Sequence, residues 1–546
     1  MSEPEAPATE APAAEPGAAT EPRAAADPSG ISELGLLLPV REIIQPAVTA
    51  DDWQAARGGR HMEADVVIVG TGPGGAAAAR VLAMAGARVI LLEEGPAKSR
   101  FRPNQANTAR YHMQEGGGLV ARGNGILPIA AGRGVGGGTL INSALSFRAP
   151  DEILDGWATA LQDPGWSAAA LAPLYDEIAT LIGVRFMWDA IAGKNNALIV
   201  QGAQALGLPG GLAPRSTPGC GGCGQCNFGC PIHGKGSMDL TLLPRAYAHG
   251  ARIQADTKVL EVLVEGGRAV GVRGEARHPE TGEVVGEVVV RAPKVVLSAG
   301  AIGTPRLLWH QGLARQLGPV GDSLHVHPGN AVLAMHPEEV YLWRGATQGA
   351  YFHHPDWPGV LPHGFTAPPE ATLAAIGAVG PRLAEGLARL PHLFGCVVMV
   401  SDKGKGRVRA TSDGRADLHY DFDPHDLERT KGGMVETAKV LFAAGATELT
   451  GIVHGIGWHR DAASFEAALT PRTITDFTLY AAHPMSTCKM GLDPATSVVD
   501  AQGQAHRLPG LYVCDAGVFP TSLGVNPQLT TMTVGTRLGQ RIAIGG

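Results

Sequence analysis

Three groups of residues in this 546-residue chain have types and spacings that could do chemistry. Gly70-Thr71-Gly72-Pro73-Gly74-Gly75 fits G-x-G-x-x-G, with glycines for a tight turn, for close approach to a pyrophosphate and for helix–strand contact. A phosphate placed there meets free N–H groups and the positive end of the helix that the turn opens. Cys220, Cys223, Cys226 and Cys230, followed by Pro231, have the C-x₂-C-x₂-C-x₃-C-P spacing of iron–sulfur ligation. His483 in YAAHPMSTC could take a proton near neutrality, and His325 and His327 in SLHVHPGN form the H-x-H pair seen in some metal sites. No third and fourth ligand is marked for that pair. Alternation along a strand places the two rings on one face. His454 and His459 in GIVHGIGWHR are further polar candidates.

The glycine turn needs a strand before it and a helix after it, and both are written in the chain. ADVVIVG at 64–70 is a β-branched, nearly uncharged run suited to a strand buried on both faces. An alanine-rich helix follows, and ARVILLEEG at 87–95 is a second buried strand, which makes a βαβ unit with parallel strands. Glu93 ends that strand, where a carboxylate accepts from the ribose hydroxyls of a dinucleotide; the register LLE favours it over the adjacent Glu94. By this fingerprint alone the cofactor is NAD or FAD. KVVLSAG at 294–300 and LYVCDAGVFP at 511–520 are two more buried strands, the second with Asp515 at its end. The stretch from residue 241 predicts a helix running into an antiparallel ribbon, and Asp163-Pro164 predicts a helix start.

Composition sets the frame. Hydrophobic residues make up 45% and charged residues 17%, as in a globular enzyme body. The net charge of −7 and the lack of a basic tract exclude a nucleic-acid partner. Four of the seven cysteines fall in one short loop, which is no secreted disulfide framework. Residues 1–30 are an acidic, Pro/Ala-rich tail expected to be disordered, without the basic and apolar regions of a signal peptide. No apolar run is long enough to span a membrane, so the cytoplasm is the default.

Four segments in order carry a resemblance to a known family: GTGPGGAAAARVL with the Glu93 strand end, GRGVGGGTLINSALSFRAP, VVLSAGAIGTPRLL, and HPMSTCKMG with DAGVFPTSLGVNPQLTTMTVGTRL. From about residue 62 to the C-terminus the chain resembles the glucose–methanol–choline (GMC) oxidoreductases, FAD enzymes that oxidise alcohols. The GRGVGGGTLINSALSFRAP form and the cysteine insert resemble the long-chain alcohol oxidase branch most, and cholesterol oxidases more distantly. The resemblance implies an α/β fold in which a Rossmann-like FAD-binding domain (64–150, 225–330 and 481–546) interleaves with a substrate domain (151–224 and 331–480) built on an antiparallel sheet with helices. Residues 31–63 form an N-terminal collar, and the Cys220–Cys230 loop abuts or belongs to the substrate domain.

It further implies that Gly70, Gly72, Pro73, Gly74 and Gly75 hold the pyrophosphate and Glu93 the ribose. Arg133, Gly137, Gly138, Thr139 and Asn142 run beside the flavin, Val259 beside the adenine, and Asp515 near the phosphate and ribityl chain. Some relatives attach FAD through a histidine at the position of Ile141, which has no nucleophilic atom, so FAD is expected to be non-covalent. His483 matches the active-site histidine and Asn526 the second polar residue facing the flavin; the first would take the hydroxyl proton and the second orient the alcohol. For the four cysteines three readings stand: free or structural thiols, an iron–sulfur cluster, or zinc. The substrate implied is a hydrophobic small-molecule alcohol, with O2 or an electron carrier as acceptor. Peripheral membrane contact and oligomeric state stay open. The alternatives are an NAD-dependent hydride-transfer enzyme, a non-catalytic flavin- or metal-binding interaction protein, and an iron–sulfur dehydrogenase that passes electrons to a carrier.

Overall fold

Val66–Val69 reads Val-Val-Ile-Val with every position buried, and it becomes the central strand of a sheet covered on both faces. In the computed structural model, which describes residues 60–97, 104–375 and 380–544, the neighbouring strands of this sheet are all parallel. Their order is Leu511–Val513, Lys294–Leu297, Val66–Val69, Val89–Leu92, Arg252–Gln254. The register Val69↔Leu92 brings the glycine turn and Glu93 side by side at the carboxyl end, where open parallel sheets bind ligands. The helix Pro73–Met84 follows the turn, with Ala76, Ala77, Ala78 and Ala79 fully buried. Single-carbon side chains let it lie close to the sheet and to the helix Gln528–Ile544, where a Cβ on Gly535 would stand 2.7 Å from the Gly74 carbonyl.

The stretch after residue 241 divides in a way its pattern does not announce. The helix Leu242–Ala248 is followed by Arg252–Gln254, which joins the parallel sheet, and only then by the antiparallel pair Thr257–Glu265 and Arg268–Arg277. Val284–Arg291 and Arg60–Glu63 extend that pair to four strands. Asp163 caps only a short turn, Pro164–Trp166; the long helix Ala168–Leu181 starts at Ser167, whose hydroxyl accepts from the Ala170 amide. The tail (1–30) and nearly all of the collar (31–63) lie outside the described residues, of which Arg60–Glu63 is the strand just mentioned.

A second core surrounds a six-stranded sheet in the order Glu448–Gly451, Gly329–Met335, Leu393–Val400, Val360–Gly364, Ala350–Phe352, Gly210–Leu212, with antiparallel neighbours. The helix Pro424–Ala443 packs on one face. Period two then sorts the central strand: Cys396, Val398 and Val400 point into that core, while Val397 and Met399 point to the other face and line a cavity. The helices Asp151–Ala160 and Ala168–Leu181 and the turn Pro164–Trp166 between them, grouped by the sequence with residues 331–480, contribute Trp157, Tyr175 and Trp166 to the core of the parallel sheet. Conversely, the strands Val120–Arg122 and Ile126–Pro128 join Ala416–Asp421, Lys405–Ala410 and Asp322–Leu324 in a further five-stranded sheet. The chain thus passes between the cores more often than the motif order suggests. The architecture is the Rossmann-like domain with an interleaved sheet-and-helix domain expected above. Among the described residues no helix is long and apolar enough to cross a membrane.

Candidate functional site

The glycine turn is packed backbone to backbone. Gly70 has φ +101°, and a Cβ there would stand 2.3 Å from the Ser298 carbonyl oxygen. A Cβ on Gly74 would meet the Cys514 carbonyl at 2.0 Å, and one on Gly75 the Gly70 carbonyl at 2.3 Å. These three are glycine because strands and helix leave no room. Glu93 fastens the turn from below. Its Oε2 accepts from the Thr71 amide (3.0 Å) and hydroxyl (2.8 Å), and its Oε1 from the amides of Gly95 (3.0 Å) and Gly134 (3.1 Å). Burial raises its proton affinity, and the hydrogen bonds from Thr71 and Gly95 oppose that. Ribose hydroxyls reaching Glu93 would have to share oxygens already used by protein donors.

Gly72 and Gly138 differ from the others. A Cβ on Gly72 would have only the Gly137 Cα nearby, at 3.9 Å, and one on Gly138 would have nothing within 4 Å. Both line a cavity of about 470 Å³, so what they keep clear is cavity space and not protein packing. That cavity runs from the N-terminus of Pro73–Met84 past Glu93, Val259 and Asp515 to His483 and Asn526. A dinucleotide fits its chemistry: two glycines open on it beside a helix N-terminus that no side chain caps. Asp515 lies at the N-terminus of a second helix, Gly300–His310, accepting from the Gly300 amide (3.0 Å) and the Thr304 hydroxyl (2.6 Å). Burial pushes its carboxyl up to about 6 against these bonds.

Thr139, Asn142 and Ile141 also line the cavity. The Asn142 amide donates to Gln528 Oε1 (2.6 Å), and Gln528 in turn donates to the Leu145 carbonyl (3.0 Å). Arg133 is not on the cavity wall; its guanidinium donates to the Glu94 carbonyl at 3.0 Å and braces the loop from outside. Gly75 likewise stands behind the wall.

His483 and Asn526 meet at the far end, with Asn526 Nδ2 3.2 Å from His483 Nε2. His483 Nδ1 is buried with no hydrogen-bond partner among the described residues, so Nε2 is the nitrogen available to a ligand. Burial, with His327 and His363 nearby, lowers the proton affinity of His483 well below the ordinary histidine value; Asp402 opposes this weakly.

Two of these neighbours were not assigned to the site by sequence. The H-x-H pair does not share a face: His325 turns to Asp402 (3.4 Å), while His327, with φ +49°, leaves the strand and sets its ring 5.4 Å from that of His483. His327 Nε2 accepts from the Gly524 amide (3.0 Å), and burial lowers its pKa to about 4. His363 donates from Nδ1 to the Leu361 carbonyl (3.1 Å) and so accepts at Nε2 from the Gln348 amide (2.8 Å); its pKa also falls to about 4 through burial. Strand alternation fails at His325–His327, and nothing local marks Gln348 or His363. His454 and His459 lie elsewhere: neither lines the cavity.

The cysteine loop reaches this site through Asn227, which lines the cavity. Asn227, next to Cys226, donates to the Ile141 carbonyl at 3.2 Å, and Lys235 Nζ donates to the carbonyls of Leu140, Asn142 and Cys226. The four thiols line one space of about 10 Å³. Each of three has its own donor: Cys220 the Gly222 amide, Cys230 the Gly234 amide, and buried Cys226 the Arg215 guanidinium at 3.1 Å. Among the described residues no three His, Cys, Asp or Glu side chains are grouped to hold a metal ion.

Comparison with known proteins agrees with this geometry. Residues 63–113 match an FAD binding domain model, and residues 109–329 and 402–535 match the two models described as GMC oxidoreductase. An uncharacterized GMC-type oxidoreductase of Mycobacterium tuberculosis is 34% identical over 481 residues, covering 86% of this chain and 74% of its own. A long-chain-alcohol oxidase of Arabidopsis thaliana is 28% identical over 523 residues, covering 88% of this chain and 67% of its own. A formate oxidase variant of Aspergillus oryzae has the same fold, with a TM-score of 0.67 at 15% identity over 89% of this chain and 99% of its own. With a family match on both halves, an FAD model on the glycine turn and a cavity that joins that turn to His483 and Asn526, the chain belongs to the GMC family of FAD-dependent oxidoreductases.

Proposed function

We propose that this enzyme oxidises an alcohol with a largely apolar body to the aldehyde or ketone, with His483 as proton acceptor and Asn526 as the group that orients the hydroxyl. FAD, when bound, supplies the hydride acceptor. Gly70 to Gly75 and Gly137–Gly138 would hold the cofactor, with Glu93, Val259 and Asp515 along its length. Asn526 can fix the alcohol oxygen through its amide without competing for the proton. His483 meets that oxygen unprotonated at neutral pH, because burial disfavours the imidazolium. The donor on His483 Nε2 is Asn526, the residue that would also hold the alcohol, whereas His327 and His363 have theirs from the Gly524 amide and the Gln348 side chain. Val397, Met399, Phe365 and Leu145 give the wall an apolar face that suits a hydrophobic alcohol. Likeness to long-chain-alcohol oxidases of Arabidopsis supports that substrate and that branch of the family.

The observation that carries this reading is the single cavity running from Gly72 to His483 and Asn526. The test is to mix the yellow protein, without oxygen or nicotinamide, with primary, secondary, aromatic and sterol alcohols. Bleaching of the flavin bands by at least one class is expected, and admitting air then separates O2 from an electron carrier as acceptor. A flavin that no alcohol reduces would refute the proposal.

A further inference from the structure

Beside the apolar face, where His363 pairs across the strands with Val397, the cavity wall holds a polar group fixed in place. Gln348 sits in a turn before the strand Ala350–Phe352, with φ +50°, a backbone conformation that an L side chain adopts only under strain. Such outliers collect at ligand-binding positions, and among the cavity residues His327 (φ +49°) and Ala144 (φ +60°) share it. The Gln348 side chain is also oriented. His363 Nδ1–H is committed to the Leu361 carbonyl, so its Nε2 must accept, and the Gln348 amide nitrogen, Nε2, must be the donor. That leaves the Gln348 carbonyl oxygen, Oε1, with no donor among the described residues. Tyr480, on the same cavity and packed over Gly329, has no hydrogen-bond partner for its hydroxyl among the described residues either. Neither atom is sealed in protein, unlike Nδ1 of His327.

An alkanol with one hydroxyl leaves Gln348 Oε1 unused, because that hydroxyl goes to His483 and Asn526. We propose that Gln348 is a specificity-determining residue that receives a second hydrogen-bond donor on the substrate, a hydroxyl or an amide N–H other than the reacting hydroxyl. The substrate is then a bifunctional alcohol. His363 acts as a positioning residue: it holds the amide so that the oxygen, and not the nitrogen, faces the ligand. This rests on the alcohol-oxidation reading above and deepens it.

The test compares matched pairs of alcohols, an alkanol against the diol or hydroxy-amide of equal length, over a range of spacings. Wild-type enzyme should reduce its flavin about tenfold faster at low concentration with the bifunctional member at the best spacing, the effect of one hydrogen bond to a buried acceptor. In Gln348→Leu, which keeps a side chain at the strained position, that ratio should fall to near one; His363→Leu should weaken it because the amide is no longer held. A second readout needs no turnover: tertiary diols, which cannot be oxidised, should raise the melting temperature of the FAD-loaded wild type more than tertiary mono-alcohols do, and Gln348→Leu should lose that difference. No preference at any spacing in either readout, or a preference that survives Gln348→Leu, overturns the inference. Preference in the melting experiment with no flavin reduction by any alcohol would leave this inference standing and remove the alcohol-oxidation reading.

Discussion

At the scale of the residue, His483 and Asn526 should separate by the size and pH dependence of their loss. His483→Ala is expected to slow flavin reduction by roughly 10²- to 10⁴-fold with FAD retained, the usual contribution of a general base. Asn526→Ala should cost about tenfold, since it removes an orienting hydrogen bond but no proton acceptor. Wild-type rates at low substrate should fall only below pH 6.5, because burial lowers the proton affinity of His483 and the neutral form persists into acid. Rapid mixing across pH 4.5 to 8, with cofactor content measured in the same samples, checks all three statements. The motif identified both residues because the chemistry fixes their type, but it could not identify His327, His363 or Gln348. Those depend on left-handed backbone at 327 and 348 and on a tertiary hydrogen bond, none of which has a local signal.

At the scale of the element, the turn between Val66–Val69 and Pro73–Met84 contains glycines with two different reasons to exist. Gly74→Ala drives a Cβ into the Cys514 carbonyl, so it should destabilise the protein with or without cofactor, by about 1–3 kcal/mol or more. Gly72→Val places its methyls in open cavity, so the apoprotein should melt as wild type does while FAD is lost. Melting curves of apo and loaded samples, read with the ratio of flavin to protein absorbance, distinguish the two. Glu93→Gln belongs with Gly74. Turning one oxygen into an NH2 sets donor against donor at the amides of Gly95 and Gly134 or at Thr71, an expected loss of about 2 kcal/mol in the apoprotein. The βαβ unit was legible because period, turn and strand end agree over a short span. Arg252–Gln254 was not, since a three-residue strand beside a longer ribbon carries too little pattern to show which sheet it joins.

At the scale of the whole molecule, burying His327, His363 and His483 together ties stability to pH. Their folded pKa values lie below the unfolded value of about 6.5, at about 4 for His327 and His363, and burial likewise holds His483 well below it. The unfolded chain therefore binds more protons than the native one as pH drops, and stability present above pH 6.5 is lost from there down to about 4. Asp402, held near 2 although its burial works the other way, because His325 bonds to it and Tyr420 donates to it, loses its contribution only below that window. Denaturant midpoints at several pH values should fall through that interval, and His363→Gln should fall less steeply. A midpoint flat between pH 6.5 and 4 would contradict the buried neutral state of these rings.

The cavity wall has one more consequence, for the order of events in synthesis. Its opening stretch is the glycine turn at Gly70–Gly74, yet Asp515, Asn526 and Thr531 close it, and the helix Gln528–Ile544 lies against Pro73–Met84. A nascent chain that has exposed only its βαβ unit therefore offers a half-built cradle, lacking the wall that arrives hundreds of residues later. Cofactor capture belongs to the end of translation, and the early-made glycine turn must wait, with its backbone donors solvated, for the late-made helix that encloses it.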